Sequence, residues 1–133
     1  MPDRVQYTRA YQIEPEAHLI IMSCWFGPYW EAVAAYRYDE TESTPQVEPL
    51  ILPTFDSESG QVVSSESNIL YGLLSYDEES QRLTLAHKYS GTGECGFEAT
   101  YVLANDEFEL GEFSEQSECD GTRLPGDFPQ VYP

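Results

Sequence analysis

The sequence has very few positive charges. Only six of its 133 residues are Lys or Arg, against 24 Asp and Glu, which gives a formal net charge of −18. A surface of this kind repels phosphate backbones, so nucleic acid is not expected as a partner. An anionic membrane surface is disfavoured for the same reason. The charge keeps the chain soluble, and the alternative is that it attracts a cation or a basic protein.

Long apolar segments are missing too. The run Leu19 to Met22 has four residues, and no stretch approaches the roughly 20 that a membrane helix needs. The start, Met1 to Arg4, lacks the apolar stretch of a signal peptide, although a mature form with an added Met1 would look the same. With 41% hydrophobic and 14% aromatic residues, the chain has the material for a core, and its length fits one domain over residues 1–133.

Residues that typically carry catalysis or bind metals are sparse. There are two histidines and three cysteines with no C-x-x-C spacing, which gives a metal site little support. His18 and His87 fall inside predicted strands, and no local signature links Cys24 to either one. The acidic turn Asp77 to Glu79 lacks the alternating ligands of a calcium loop. We therefore expect no enzyme and no cofactor.

Short runs of alternating apolar and polar residues separated by turn residues are typical of an all-β fold. We predict about eight mainly antiparallel strands in a meander, forming a barrel or a sandwich. The predicted strands are Val5 to Ile13, His18 to Cys24, Trp30 to Tyr38, Val47 to Phe55, Ile69 to Tyr76, Arg82 to Tyr89, Cys95 to Ala104 and Glu107 to about Gln116. The third is the weakest, because its alanines also suit a short helix.

Two segments are predicted to lie outside these strands. Asp56 to Asn68 is rich in Ser and Glu, so we predict a mobile loop. The tail Leu124 to Pro133 holds three prolines, so it should be extended, with Phe128 and Tyr132 pinning it to the domain.

A meander sends successive connections alternately to the two ends of its sheet. One end, the acidic pole, should collect the turns around residues 14–16, 39–42, 77–79 and 106–107. The other end, the aromatic pole, should collect residues 25–29, 56–68 and 90–94, together with the three cysteines. The poles depend on this strand order.

Cys95 and Cys119 flank the last predicted hairpin. Pairing around the turn at Asn105 sets Cys95 opposite Gln116, three residues short of Cys119, and a bulge near Gly111 or a frayed strand end would make up the offset. A disulfide needs Cα atoms within about 7 Å, which makes this pair the best candidate. Cys24 would then be a buried thiol, an alternative partner or a link to another chain. Three reduced cysteines remain the other possibility.

Four segments resemble the motifs of domain-of-unknown-function family 1176 (DUF1176), a group of uncharacterised, mostly exported bacterial proteins. They are Cys24 to Tyr29 (CWFGPY), Lys88 to Gly96 (KYSGTGECG), Cys119 to Gly121 (CDG) and Asp127 to Tyr132 (DFPQVY). Trp30 departs from the family, where a small polar residue is expected. The resemblance implies a periplasmic or secreted protein, and therefore an oxidised Cys95–Cys119 pair. It implies no chemistry, because the family has no assigned activity.

Together these features predict a non-enzymatic binding or interaction module of the bacterial envelope. The alternative is an acidic protein inhibitor of a basic envelope enzyme, such as a lysozyme-type cell-wall hydrolase. Loops on a rigid scaffold commonly carry binding groups, so we predict a partner site at the aromatic pole with contacts from Trp25, Tyr29, Lys88 and Glu94. The expected partner is a saccharide or a basic protein. In the structural alternative, the aromatic segment only plugs this end of the fold.

Overall fold

In the computed structural model, residues 8–26, 31–40, 44–90, 93–105, 107–124 and 126–133 are described. These residues form twelve strands, and no helix long and apolar enough to cross a bilayer occurs among them. The strands are β1 (Thr8–Glu14), β2 (Ala17–Phe26), β3 (Glu31–Asp39), β4 (Gln46–Pro49), β5 (Pro53–Asp56), β6 (Gln61–Ser64), β7 (Ile69–Tyr71), β8 (Leu73–Asp77), β9 (Arg82–Lys88), β10 (Gly96–Ala104), β11 (Glu107–Gln116) and β12 (Gln130–Tyr132).

The strands build two five-stranded antiparallel sheets and one small hairpin. The first sheet has the order β1-β2-β3-β4, and β7 pairs with the remaining length of the same edge of β3. The second sheet is a meander in the order β12-β11-β10-β9-β8, and β5 pairs with β6 alone. The fold is therefore an all-β sandwich, and the predicted alternative of a barrel is excluded for the described chain.

The core lies between the two large sheets and comes from alternate residues of each strand. Leu19, Ile21 and Val33 face it from the first sheet, and Leu83 and Tyr101 from the second. All five side chains are almost completely buried. The predicted third strand is a strand rather than a helix, because its register opposite β2 sends Val33 and Ala35 into this core.

Two predicted strands are each divided in the structure. The prediction of one strand from Val47 to Phe55 is wrong, because β4 ends at Pro49 and β5 begins at Pro53. Proline has no N–H to donate to a ladder, so a segment bounded by two of them leaves the sheet. The segment Asp56 to Asn68, which was predicted to be a loop, contains a strand, because β6 lies within it and pairs with β5.

Gly72 divides the other predicted strand, Ile69 to Tyr76, and carries the chain from one sheet to the other. Its N–H donates to the carbonyl oxygen of Glu31 in β3 at 2.7 Å, while the following residue, Leu73, pairs with Ala86 of β9. Gly72 has a φ of +133°, and a Cβ there would clash with the carbonyl oxygen of Ala86. Only glycine allows this close approach.

Contacts between turns support both predicted poles. At the acidic pole the N–H of Glu40 donates to the carbonyl oxygen of Glu16 at 2.8 Å. At the aromatic pole the hydroxyl of Ser57 donates to Glu115 at 2.8 Å, which joins the β5–β6 turn to β11. The tail is held as predicted, since Phe128 is buried and Tyr132 packs against the core.

Candidate functional site

The Cys95–Cys119 disulfide is present and fixes the aromatic pole. Its Cα atoms are 4.7 Å apart. The pairing of β10 with β11 shifts by one residue between Thr100 and Tyr101, which leaves Gly111 as the extra residue of the bulge. The predicted bulge thus makes up part of the offset, and the chain beyond Gln116 supplies the rest. Cys24 is a free, exposed thiol rather than a buried one.

The connection between β9 and β10 carries two of the predicted contact residues. Lys88 is exposed at the end of β9, and Glu94 is half-buried beside Gly121, close to the disulfide. The N–H of Tyr89 donates to the carbonyl oxygen of Cys95 at 3.0 Å, which closes the connection. The backbone hydrogen bond therefore closes the loop between Tyr89 and Cys95, and the disulfide ties its Cys95 end to Cys119.

Next to this connection lies a cleft of about 460 Å³, which we call the aromatic cleft. It opens between the inner face of the second sheet, β7 and the β5–β6 hairpin. Its lining residues are Thr54, Ser65, Ile69, Leu70, Tyr71, Leu85, His87, Lys88, Tyr89, Phe97 and Tyr101. Lys88 is the charged residue of this lining, but its register opposite Gly96 directs its side chain to the outer face of the second sheet, so the cleft itself is mostly apolar.

A continuous series of rings extends from the cleft along the second sheet. His87 contacts Phe97 with ring centroids 5.4 Å apart, and Phe97 stacks on Phe113 at 5.0 Å. Phe113 in turn contacts Phe55, which lies 5.6 Å from Tyr132. Edge and offset contacts of this kind stabilise aromatic clusters beyond the area they bury. The cleft therefore has a rigid wall.

Glu115 holds the rim of the cleft together. Tyr89 donates its hydroxyl to one carboxylate oxygen at 2.6 Å, and Ser57 donates to the other at 2.8 Å. Burial, the hydrogen bond to Glu115 and the charge of that carboxylate raise the pKa of Tyr89. Tyr89 thus remains a neutral donor at any physiological pH.

His87 forms a hydrogen bond between the sheets. Its Nδ1 atom lies 2.9 Å from the carbonyl oxygen of Tyr71, and because a carbonyl only accepts, Nδ1 carries the proton. Burial lowers the pKa of His87, an effect that the hydrogen bond to Tyr71 opposes in part. The ring is therefore neutral at pH 7 and contributes a flat, uncharged surface.

A second concavity lies at the acidic pole, between β4 and the second sheet, and we call it the acidic groove. Its volume is about 790 Å³. Leu50, Phe108 and Leu110 contribute its apolar part. The charged residues that line it are Asp39, Glu48, Glu107, Glu109 and Arg37. Arg37 bonds to Glu14 at 3.1 Å and lies 3.9 Å from Asp39, so the groove as a whole is negative.

The four predicted contact residues divide between described and undescribed parts of the chain. The backbone of Trp25 pairs with Ala32, and Ala32 pairs on its other side with Tyr71. Trp25 is therefore two strands away from a residue of the aromatic cleft. Tyr29 and the side chain of Trp25 lie outside the described residues. Of the two predicted residues that are fully described, Lys88 lines the cleft and Glu94 does not.

Sequence reasoning missed most of the cleft. His87 and Phe97 belong to the alternating stripes of β9 and β10, and that parity was the available signal that they face inward. Tyr71 and Thr54 had no such signal, because their positions depend on where Gly72 and Pro53 interrupt the strands. Among the described residues no group of three or more His, Cys, Asp or Glu is placed to hold a metal ion.

Comparison with known proteins identifies the family and nothing further. Neither a curated protein nor a solved structure matches the chain at a significant level. A family described as a protein of unknown function, DUF1176, matches residues 1–133, which is the whole chain. With all four resembling segments inside that match, this chain belongs to the DUF1176 family.

Proposed function

We propose that the chain is a non-enzymatic binding module of the bacterial envelope, and that a saccharide occupies its aromatic cleft. The observation that carries the proposal is the composition of that cleft. Small-molecule sites are typically concave and mainly apolar, with a few polar groups that orient the ligand. Here aromatic side chains supply the apolar surface, and the hydroxyl groups of Thr54 and Ser65 supply polar atoms.

The electrostatics favour binding over chemistry. Burial lowers the pKa of His87 and raises the pKa values of Tyr89 and Tyr101 in the cleft. Shifts in these directions keep the His and Tyr side chains uncharged at neutral pH. Neutral rings present flat faces for the C–H groups of a sugar, and the hydroxyls of Thr54 and Ser65 can exchange hydrogen bonds with its hydroxyl groups.

The envelope location rests on two supports. The resemblance to DUF1176 implies an exported protein, and a Cys95–Cys119 disulfide is compatible with an oxidising compartment. The periplasm meets both conditions.

A saccharide titration tests the cleft. Soluble cell-wall muropeptides added to the protein should quench its aromatic fluorescence to the same extent at low and moderate salt, because stacking is not screened. Tyr89→Ser removes a cleft side chain that is 40% exposed and contacts the rings of His87 and Phe97, and it should weaken binding at least tenfold. Leu73→Ser is the matched control and should bind like the parent, since Leu73 is 59% exposed and does not line the cleft. Equal binding by both variants would refute this site.

The acidic groove favours a second candidate, an inhibitor of a basic envelope enzyme. Its lining combines carboxylates with apolar residues, a combination that suits a basic loop with apolar side chains. Binding to a lysozyme-type hydrolase should then weaken steeply with salt. Glu48→Gln should weaken it further, while Glu66→Gln, an exposed substitution that does not line the groove, should leave it unchanged. Salt-independent binding, or no effect of Glu48→Gln, would exclude this candidate.

A further inference from the structure

The two large sheets have outer faces of opposite character. Side chains that pair directly across antiparallel strands lie on one face of a sheet, so the registers define both faces. The outer face of the second sheet carries seven charged residues, which are Asp77, Arg82, Lys88, Glu98, Glu107, Glu109 and Glu112. This is the ordinary condition of a sheet that faces water on one side.

The described part of the first sheet's outer face carries no charged residue. Its described positions are Thr8, Ala10, Gln12, His18, Ile20, Met22, Ala32, Ala34, Tyr36, Tyr38, Val47, Pro49, Ile69 and Tyr71. No Asp, Glu, Lys or Arg occurs among them, in a chain where 23% of residues are charged. We call this set the uncharged face.

The charged residues of these same strands occupy the alternate positions, which face inward. In β3 the side chains of Glu31, Arg37 and Asp39 face inward. There the guanidinium group of Arg37 forms ion pairs with Glu14 and with Asp39. The strands therefore contain charged residues but keep them off the uncharged face. Solubility alone would place them on it.

Parts of the uncharged face are well exposed. Met22 is 43% exposed near its middle, and Val47 is 57% exposed on the edge strand β4. Charged residues are depleted at the cores of protein–protein interfaces, so exposed apolar side chains on an uncharged face suit a contact with another protein chain.

We propose that the uncharged face is where a second copy of this chain binds, so that two sandwiches pack sheet to sheet about a twofold axis. A twofold interface places the same surface on both partners, so any charge near the axis faces its own copy. In a chain with 24 acidic and six basic residues, nearly every other surface repels itself. A basic partner, in contrast, would gain nothing from a surface without carboxylates.

The size of the face sets the strength of the contact. Four strands span about 19 Å and five residues of a strand about 17 Å, so each copy contributes roughly 300 Å² of flat area. This is well below the roughly 800 Å² per partner of a standard specific interface. Two bodies of net charge −18 also repel each other. We therefore expect a weak dimer that salt strengthens.

Sedimentation velocity tests the proposal on the full chain. The protein should show a reversible monomer–dimer equilibrium at about 300 mM NaCl and shift toward monomer at about 20 mM. Met22→Glu should abolish the dimer, because it places two carboxylates in the interface. Val102→Glu is the matched control, since Val102 is 39% exposed on the outer face of the second sheet. It should dimerise like the parent.

Each alternative outcome overturns the proposal. If the parent protein stays monomeric at about 500 µM in about 300 mM NaCl, the uncharged face does not mediate dimerisation. Self-association that weakens with salt points to a contact between opposite charges elsewhere. Equal behaviour of Met22→Glu and Val102→Glu places the contact outside the uncharged face. Circular dichroism checks folding, and Val47→Glu on the same face replaces Met22→Glu if that variant does not fold.

Discussion

The Nδ1 atom of His87 lies 2.9 Å from the carbonyl oxygen of Tyr71, and this hydrogen bond joins the two sheets beside the aromatic cleft. One residue further along, Gly72 passes between the sheets, bonded to Glu31 and pressed against the backbone of Ala86. The geometry of the cleft thus depends on one short segment of chain. Three of the predictions below concern the hydrogen bond of His87, the crossing at Gly72 and the Cys95–Cys119 disulfide.

His87 should make stability depend on pH below neutrality. Because its pKa in the folded protein is lowered, the unfolded chain binds a proton first as pH falls through about 6.5. The stabilisation that neutral His87 contributes to the free energy of unfolding is fully present above that pH and is lost as the pH falls toward the pKa of the folded state. Urea unfolding between about pH 7.5 and 5 should show a smaller loss in His87→Gln than in the parent. An imidazole NMR titration with a midpoint above 6.5 would contradict the lowered pKa.

Gly72→Ala should be strongly destabilising. The new Cβ would clash with the carbonyl oxygen of Ala86, and the φ of +133° is unfavourable for alanine. We expect a loss of more than about 2 kcal/mol in the free energy of unfolding. Gly60→Ala is the control, because Gly60 also has a positive φ but nothing lies within 4 Å of a Cβ there. It should cost about 1 kcal/mol. Equal losses would mean that the crossing tolerates a side chain.

Reduction of the Cys95–Cys119 disulfide should lower the free energy of unfolding by about 3 kcal/mol, since it releases a loop with a sequence separation of 24. Denaturant curves with and without reductant measure this. On reduction, the Cys24→Ser variant should lose as much unfolding free energy as the parent, because Cys24 lies outside the disulfide. An unchanged curve on reduction would show that the bond contributes nothing to stability.

Salt should stabilise the monomer. With a net charge of −18, the folded chain repels itself, and moderate NaCl screens that repulsion. The melting temperature at low micromolar protein concentration, where no dimer forms, should therefore rise from low to moderate salt. Glu78→Gln at the acidic pole should raise it at low salt and reduce the further gain. A melting temperature that does not depend on salt would exclude repulsion as a significant term.

The strand pattern and the disulfide were predictable because each depends on local signals. Alternation identified β9 and β10, and counting residues around Asn105 led to the Gly111 bulge and the cysteine pair. The division at Gly72 was missed, although an isolated glycine inside a strand pattern can mark a close backbone approach. The aromatic cleft was out of reach, because it forms only where two sheets and a separate hairpin meet.

The most direct test of the proposed function is a muropeptide titration followed by NMR of the isotopically labelled protein. Binding in the aromatic cleft predicts that the amide signals of Lys88, Tyr89 and Phe97 shift together and saturate, at low and at moderate salt alike. Signals from the acidic groove, such as those of Glu48 and Glu109, should stay in place. Shifts confined to the acidic groove, or no saturable shift at the cleft, would contradict the proposal.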